Sequence, residues 1–281
     1  MISTYKAGIR LTFAAVAAVW LTGCASGAKP PAPVAVAAVD ATAAVWLLGE
    51  VHDNPQGHKL RYELLRRRVE AGWRPAIVME QFDRENQGKL DQAMKGCADA
   101  QCVIQVAGGA RWDWQLYYPV IQLALTWQLP LVAGNLSRDD ASRVVRDGVA
   151  SSFDPQSVKA WRLDQPLPAA IRSAQQEEIV AGHCHMLPEM MVGGLVDAQV
   201  ARDIWMAKIV LDQRPRDVVL IAGNGHVRKD IGVGYWIRQV QPALAVRSVG
   251  YLEERAADGR YDSVQILAPQ QRSDPCQQVK K

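Results

Sequence analysis

Glutamate and histidine recur in this chain just where runs of apolar residues end. Glu50 and His52 close the run that begins at Val45, Glu80 follows Ala76–Met79, and His226 follows Val218–Ala222 through Gly223-Asn224-Gly225. In extended backbone, side chains two apart point the same way, so Glu50 shares a face with His52 and Asn224 with His226. Two imidazoles and two carboxylates that converge can hold a divalent metal, with histidine as borderline ligand and glutamate as hard ligand. They can also serve hydrolysis, a histidine taking a proton from water or a substrate hydroxyl while a glutamate orients it. Equally, they can form a buried ion-pair network that only fixes the loops.

Two further clusters carry chemistry. His183-Cys184-His185-Met186-Leu187-Pro188, followed by Glu189-Met190-Met191, offers imidazole, thiolate and thioether, which suit soft or borderline metals or an iron porphyrin. A Met-rich stretch that opens an apolar helix is also ordinary core. Arg111-Trp112-Asp113-Trp114 leads into Tyr117-Tyr118-Pro119. Trp114 with Tyr117 or Tyr118, one helical turn on, can wall a flat apolar pocket, and a phenolate can ligate ferric iron. Alternatively the rings anchor their helix to the core.

Placing these groups requires strands whose ends lie together. Apolar runs at Val45–Gly49, Ala76–Met79, Leu131–Ala133 and Val218–Ala222 alternate with helical patterns, as in βαβ units. Helices are predicted over Gln56–Ala71, with Leu60, Leu64, Leu65 and Val69 on one face, over Asp113–Gln128, and over Pro188–Leu211. Ala245–Leu252 and Ser263–Leu267 alternate like strands, with a turn at Asp258-Gly259 between them. The expectation is an α/β fold: a largely parallel central sheet with a mixed edge, flanked by helices, with extra helices in the middle of the chain. Open sheets of this kind bind ligands at the carboxyl ends of their strands, where the Glu and His residues fall. Neither GxGxxG after the first strand nor GxxxxGK[ST] occurs, so nucleotide binding has no support.

The ends of the chain carry different information. Lys6 and Arg10, an apolar run from Leu11 to Leu21 and a small-residue exit at Thr22-Gly23 read as an export signal over 1–23. Leu21-Thr22-Gly23-Cys24 resembles the lipobox of bacterial lipoprotein precursors, in which the cysteine is lipidated, making Cys24 the expected attachment point of a membrane anchor. Ala25 in place of aspartate implies, by the sorting preference of such proteins, the periplasmic face of the outer membrane. Residues 24–44, rich in Ala, Pro and Val, form a spacer, 45–270 the folded domain, and 271–281 a polar tail. Removing Lys6 and Arg10 takes the formal net charge from +3 to +1, which gives no reason to expect nucleic acid. Cys97 and Cys102, in a short polar loop, are candidates for a local disulfide in an oxidising compartment.

From Val45 to Trp236 the chain resembles the ChaN family of haem-binding lipoproteins within the Tiki-like superfamily. The resemblance rests on five ordered blocks: Leu48-Gly49-Glu50-Val51-His52-Asp53-Asn54-Pro55, Val78-Met79-Glu80-Gln81-Phe82-Asp83-Arg84, Trp112-Asp113-Trp114 with Tyr117 and Pro119, Asn135-Leu136-Ser137-Arg138, and Ile221 to Arg228. His183-Cys184-His185-Met186-Leu187-Pro188 looks like a sixth. The resemblance implies a dimer that sandwiches haem, with a tyrosine on the iron, Tyr117 first and Tyr118 its neighbouring rival. It also implies storage or relay of haem during iron acquisition, alongside an outer-membrane haem receptor. Tiki-like and erythromycin-esterase-like relatives imply instead a periplasmic hydrolase whose functional positions fall on Glu50, His52, Glu80 and His226.

Overall fold

Each of the four apolar runs becomes a strand, and the two late runs complete a six-stranded sheet. The computed structural model describes residues 43–257, 259–273 and 276. The export signal, Cys24 and the spacer up to residue 42 lie outside the described residues. The strands are β1 (Val45–Leu48), β2 (Ala76–Asp83), β3 (Leu131–Asn135), β4 (Val218–Ile221), β5 (Val246–Leu252) and β6 (Ser263–Ile266), in the spatial order β3-β2-β4-β1-β5-β6. Every pairing is parallel. β1 and β4 are buried along their whole length, which is why they read as continuous apolar runs.

Two expectations are corrected here. No mixed edge forms among the described residues, because β6 runs with β5, Val249 opposite Ser263. Asp262, just before β6, lies beside the start of β5, where its Oδ2 accepts from Ser248 N at 2.8 Å, and Asp258 of the expected turn lies outside the described residues. β2 also continues past Met79 to Asp83, since backbone pairing persists where hydrophobicity stops.

Helices cover both faces: α1 (Pro55–Glu70), α2 (Gln87–Gly96), α3 (Ala100–Ala107), α4 (Trp114–Thr126), α5 (Arg138–Asp147), α6 (Pro155–Ala160), α7 (Ala169–Gly182), α8 (Glu189–Asp212) and α9 (Val233–Val240). Asn54 caps α1 by accepting from Gly57 N at 3.1 Å, and Pro55 takes the first turn, where its missing N–H costs nothing. α8 sets Val192, Val196, Val200, Ile204, Ala207 and Val210 into the core at helical spacing. No described helix is long and apolar enough to cross a membrane.

Two disulfides are present. Cys97–Cys102 links the end of α2 to the start of α3, as the sequence suggested. Cys184 pairs with Cys276 across a separation of 92 residues. On its way there the chain beyond β6 is fixed at several points. Ala268 O accepts from Asn54 Nδ2 at 2.9 Å, and Arg272 grips both Asp53 oxygens at 2.6 Å and Glu253 at 2.5 and 2.8 Å.

Candidate functional site

β2, β4 and β1 are neighbours in the middle of the sheet, and their carboxyl ends bring Glu80, His226, Glu50 and His52 to one rim. The chain leaves β1 towards β2 and later returns beside β1 through β4 and β5, so this rim lies where the strand order reverses. Close approach is built in. A side chain at Gly49 would meet Asn224 Oδ1 at 2.2 Å, and one at Gly223 would meet His52 Nε2 at 3.1 Å. Both positions stay glycine so that neighbouring strand ends can touch.

Glu50 is the hub. It is 2% exposed, and its Oε1 accepts from Tyr117 Oη at 2.6 Å and Gln81 Nε2 at 2.9 Å, with His52 Nδ1 at 2.8 Å. Its Oε2 lies 2.7 Å from Arg61 Nη2, a guanidinium that is itself fully buried. Burial opposes the charge on Glu50, but Arg61 and the His52 hydrogen bond outweigh it and hold the carboxyl at about 2. Arg61 also donates to Gly49 O at 3.2 Å and to His58 Nδ1 at 2.8 Å. His58 Nε2 in turn donates to His52 O at 2.9 Å, so His58 is neutral; burial and Arg61 both push its pKa down.

His52 differs from its neighbours in being open to solvent, with a side chain 46% exposed. Burial lowers its pKa, yet the Glu50 hydrogen bond and Glu80 raise it further, so the net shift is upward. Its ring stands edge-on to Trp112 with centroids 5.0 Å apart. With Nδ1–H on Glu50, the orientation of the imidazole is fixed and Nε2 is the ligand or base position.

Around the corner lies a second buried pair. His226 Nδ1 is 2.6 Å from Asp203 Oδ1, and its Nε2 is 3.6 Å from Glu80 Oε1. Asp203 on α8 is fully buried and also accepts from Gln175 Nε2 at 3.1 Å. Glu80 Oε2 accepts from Gly223 N at 2.7 Å. Burial disfavours the imidazolium of His226, but Glu80 and Asp203 outweigh it and raise its pKa.

The structure therefore brings together Glu50, His52, Glu80 and His226, and adds Arg61, Gln81, Tyr117 and Asp203. Asn224 and His226 do not share a face as expected. His226 N bonds to Gly223 O in a turn, and Asn224 reaches away to the backbone of Tyr251, through Oδ1 at 3.0 Å and Nδ2 at 2.6 Å. The divalent-metal reading finds no support here. Among the described residues no group of three or more His, Cys, Asp or Glu is arranged to hold a metal ion. The physical reason is that the Glu50 oxygens and His226 Nδ1 are already committed to Arg61, Tyr117, Gln81 and Asp203.

The aromatic cluster is packed rather than hollow. Trp114 lies 5.0 Å from Phe82 and 5.9 Å from Tyr117, and Trp112 is 5.9 Å from Tyr117. Tyr117 is 1% exposed and keeps its proton, donating its O–H to Glu50; burial and the Glu50 charge push its pKa far up. In this conformation its phenol is a hydrogen-bond donor to Glu50, not the phenolate that ferric iron takes. Tyr118 is half-buried.

The His183 cluster has its own surroundings at the α7–α8 turn. His183 Nδ1 donates to Ile179 O at 2.7 Å, and Cys184 is disulfide-bonded, which removes the thiolate from the expected soft-metal set. His183 and His185 are exposed. Met186, Met190 and Met191 are exposed as well, against the reading of these methionines as core.

Residues 36–237 match the family described as haem-binding uptake, Tiki superfamily, ChaN. Among solved structures the chain is similar to one described as cofacial heme binding to ChaN of Campylobacter jejuni. That likeness has a TM-score of 0.63 and 21% identity, covering 78% of this chain and 85% of that one. Fainter likenesses are to an erythromycin esterase mutant in its open conformation (TM-score 0.43, 15% identity, 75% of this chain and 70% of that one) and a succinoglycan biosynthesis protein (0.45, 11%, 75% and 66%). No curated protein matches the chain by sequence comparison. With an α/β sheet of this topology and a match that spans most of its length, the chain belongs to the ChaN family of the haem-binding uptake, Tiki superfamily.

Proposed function

We propose that this protein binds haem and stores or relays it during iron acquisition. The observation that carries this reading is the family match over residues 36–237. The donor set at the rim fits the group. His52 presents an exposed imidazole braced through Nδ1 by Glu50, beside the half-buried ring of Trp112. An imidazole so braced is a better axial ligand than a free one. When bound, haem would supply an iron centre with open coordination positions and an extended apolar plane. His52 would hold it by the iron, or Tyr118 by a phenolate, with Trp112 against the ring. Tyr117 serves by fixing Glu50.

A homodimer closing over haem is part of this proposal, and the exposed His183, His185, Met186 and Met190 offer imidazole and thioether groups at the α7–α8 turn. Lipid attachment at Cys24, residence at the periplasmic face of the outer membrane and hand-over to a haem receptor there are supported by Leu21-Thr22-Gly23-Cys24 and Ala25. A hemin titration of the purified domain tests the central reading. A saturable Soret band is expected, its maximum moved in His52→Ala or Tyr118→Phe and kept in Tyr117→Phe. A folded protein that leaves the hemin spectrum unchanged refutes it.

A second reading, hydrolysis, is favoured by the pair formed by Asp203 and His226. With Nδ1–H on a buried carboxylate, His226 Nε2 is oriented as a proton acceptor beside Glu80. Activity against an ester and peptide panel that disappears in His226→Ala, with native circular dichroism, is its expected signature. A panel without turnover by the wild type removes it.

A further inference from the structure

Away from the strand-end rim, the connection between α6 and α7 encloses a cavity of about 630 Å³ against α8 and α9. That volume falls within the range of about 300–1,000 Å³ typical of small-molecule sites. Trp161, Leu163 and Leu167 from the connection and Trp236 from α9 supply apolar wall. Trp236 is 6% exposed, and its indole N–H has no hydrogen-bond partner among the described residues. Such a buried donor normally finds an acceptor.

The charged residues of the wall are Arg162, Arg172 and Asp197, which leave it net positive, beside the neutral Gln165 and Gln239. Arg172 is 3.2 Å from Asp197, whereas Arg162 has no carboxylate partner among the described residues. Pro168, also in the lining, is the residue before α7, a helix of 14 residues with no side-chain cap and no acidic residue in its first turn. Its first N–H groups thus add a positive helix end to the same side as Arg172.

We propose that this cavity is a second ligand site, independent of the strand-end rim, for an amphipathic organic anion. The apolar body of the ligand packs on Trp161, Leu167 and Trp236, and its carboxylate, sulfonate or phosphate meets Arg162 and the start of α7. The two halves of the wall specify the class: an ion without an apolar body leaves the indoles uncovered, and a neutral hydrophobe leaves Arg162 unused.

Two dyes that share a skeleton test this with the purified domain. Anilinonaphthalene sulfonate carries the anion, and N-phenylnaphthylamine lacks it. One saturable site is expected for the sulfonate, with the neutral dye about tenfold weaker. Arg162→Glu, an exposed position, should bring the sulfonate down to the affinity of the neutral dye. Gln239→Trp, an exposed lining residue on α9, should block both dyes by filling the space. Circular dichroism confirms that each variant is folded, and hemin titrations should be the same in wild type and Arg162→Glu. Equal affinity for the two dyes, or sulfonate binding unmoved by both substitutions, overturns the proposal. A Soret titration altered by Arg162→Glu overturns the independence of the two sites.

Discussion

Replacing Arg61 with methionine tests whether the ion pair under the rim is what allows Glu50 to stay charged in the core. The guanidinium is fully buried, 2.7 Å from Glu50 Oε2, and also serves Gly49 O and His58 Nδ1. Glu50 is held at about 2 instead of 4.5 because Arg61 and His52 overcome the opposing effect of burial. At about 1.4 kcal/mol per pKa unit, that drop corresponds to about 3 kcal/mol of folding stability. Since the folded value lies below the unfolded one, this contribution is fully present above pH 4.5 and is lost as pH falls towards 2. Without Arg61 the buried carboxylate loses its guanidinium partner, and breaking a buried pair in this way typically costs about 3–5 kcal/mol. Urea unfolding followed by tryptophan fluorescence at pH 7 should show a loss of that size in Arg61→Met. Glu50→Gln combined with Arg61→Met should recover at least about 1 kcal/mol of it, because the stranded charge is then gone. In Glu50→Gln alone, the fall in stability between pH 4.5 and 2 should shrink. A loss below about 1 kcal/mol in Arg61→Met, or a double variant no more stable than the single one, would refute the reasoning.

Three other outcomes follow from the same geometry. Tyr117→Phe removes a 2.6 Å hydrogen bond to a charged acceptor and should cost about 1.5–3 kcal/mol in urea unfolding; an unchanged midpoint would mean that the phenol does not donate to Glu50. His226 has a raised pKa, burial opposing and Glu80 and Asp203 prevailing, so the stability it adds is present below 6.5 and lost as pH rises through its folded value. Asp203→Asn should lower that folded value in an NMR titration of the imidazole, and an unmoved titration argues against the pairing. Cys276→Ser opens a loop of far greater span than Cys97→Ser does, with separations of 92 and 5 residues. Chain entropy then gives a cost of about 4–5 against about 2 kcal/mol, and thermal unfolding that ranks the two variants the other way would contradict it.

Glu50, His52, Glu80 and His226 are legible in the sequence because each interrupts the pattern at the end of an apolar run. There an extended strand stops being buried on both faces and begins to line a rim. Arg61 and Asp203 are hidden because they sit inside helices that read as plain amphipathic segments. A signal exists nonetheless. Arg61 shares a helix face with Leu65 and His58, and Asp203 occupies a core position of α8 among Val200, Ile204 and Ala207. A lone charge on an apolar stripe must find a partner, and both do so at the rim. The direction of β6 is not legible, since alternation records which face is buried and not which way the strand runs. The disulfide partner of Cys184 is equally invisible, because spacing along the chain says nothing about which distant cysteine comes near.

The pairing of Cys184 with Cys276 fastens the α7–α8 turn to a segment that follows the last described strand. Every described strand precedes Ala268, so no strand pairing depends on the segment that bears Cys276. The turn bearing His183, His185 and Met186 is fastened to that segment only once two thiols have been oxidised. A product cut short before Arg272 would keep its central sheet, yet would lack the grip on Asp53 beside His52.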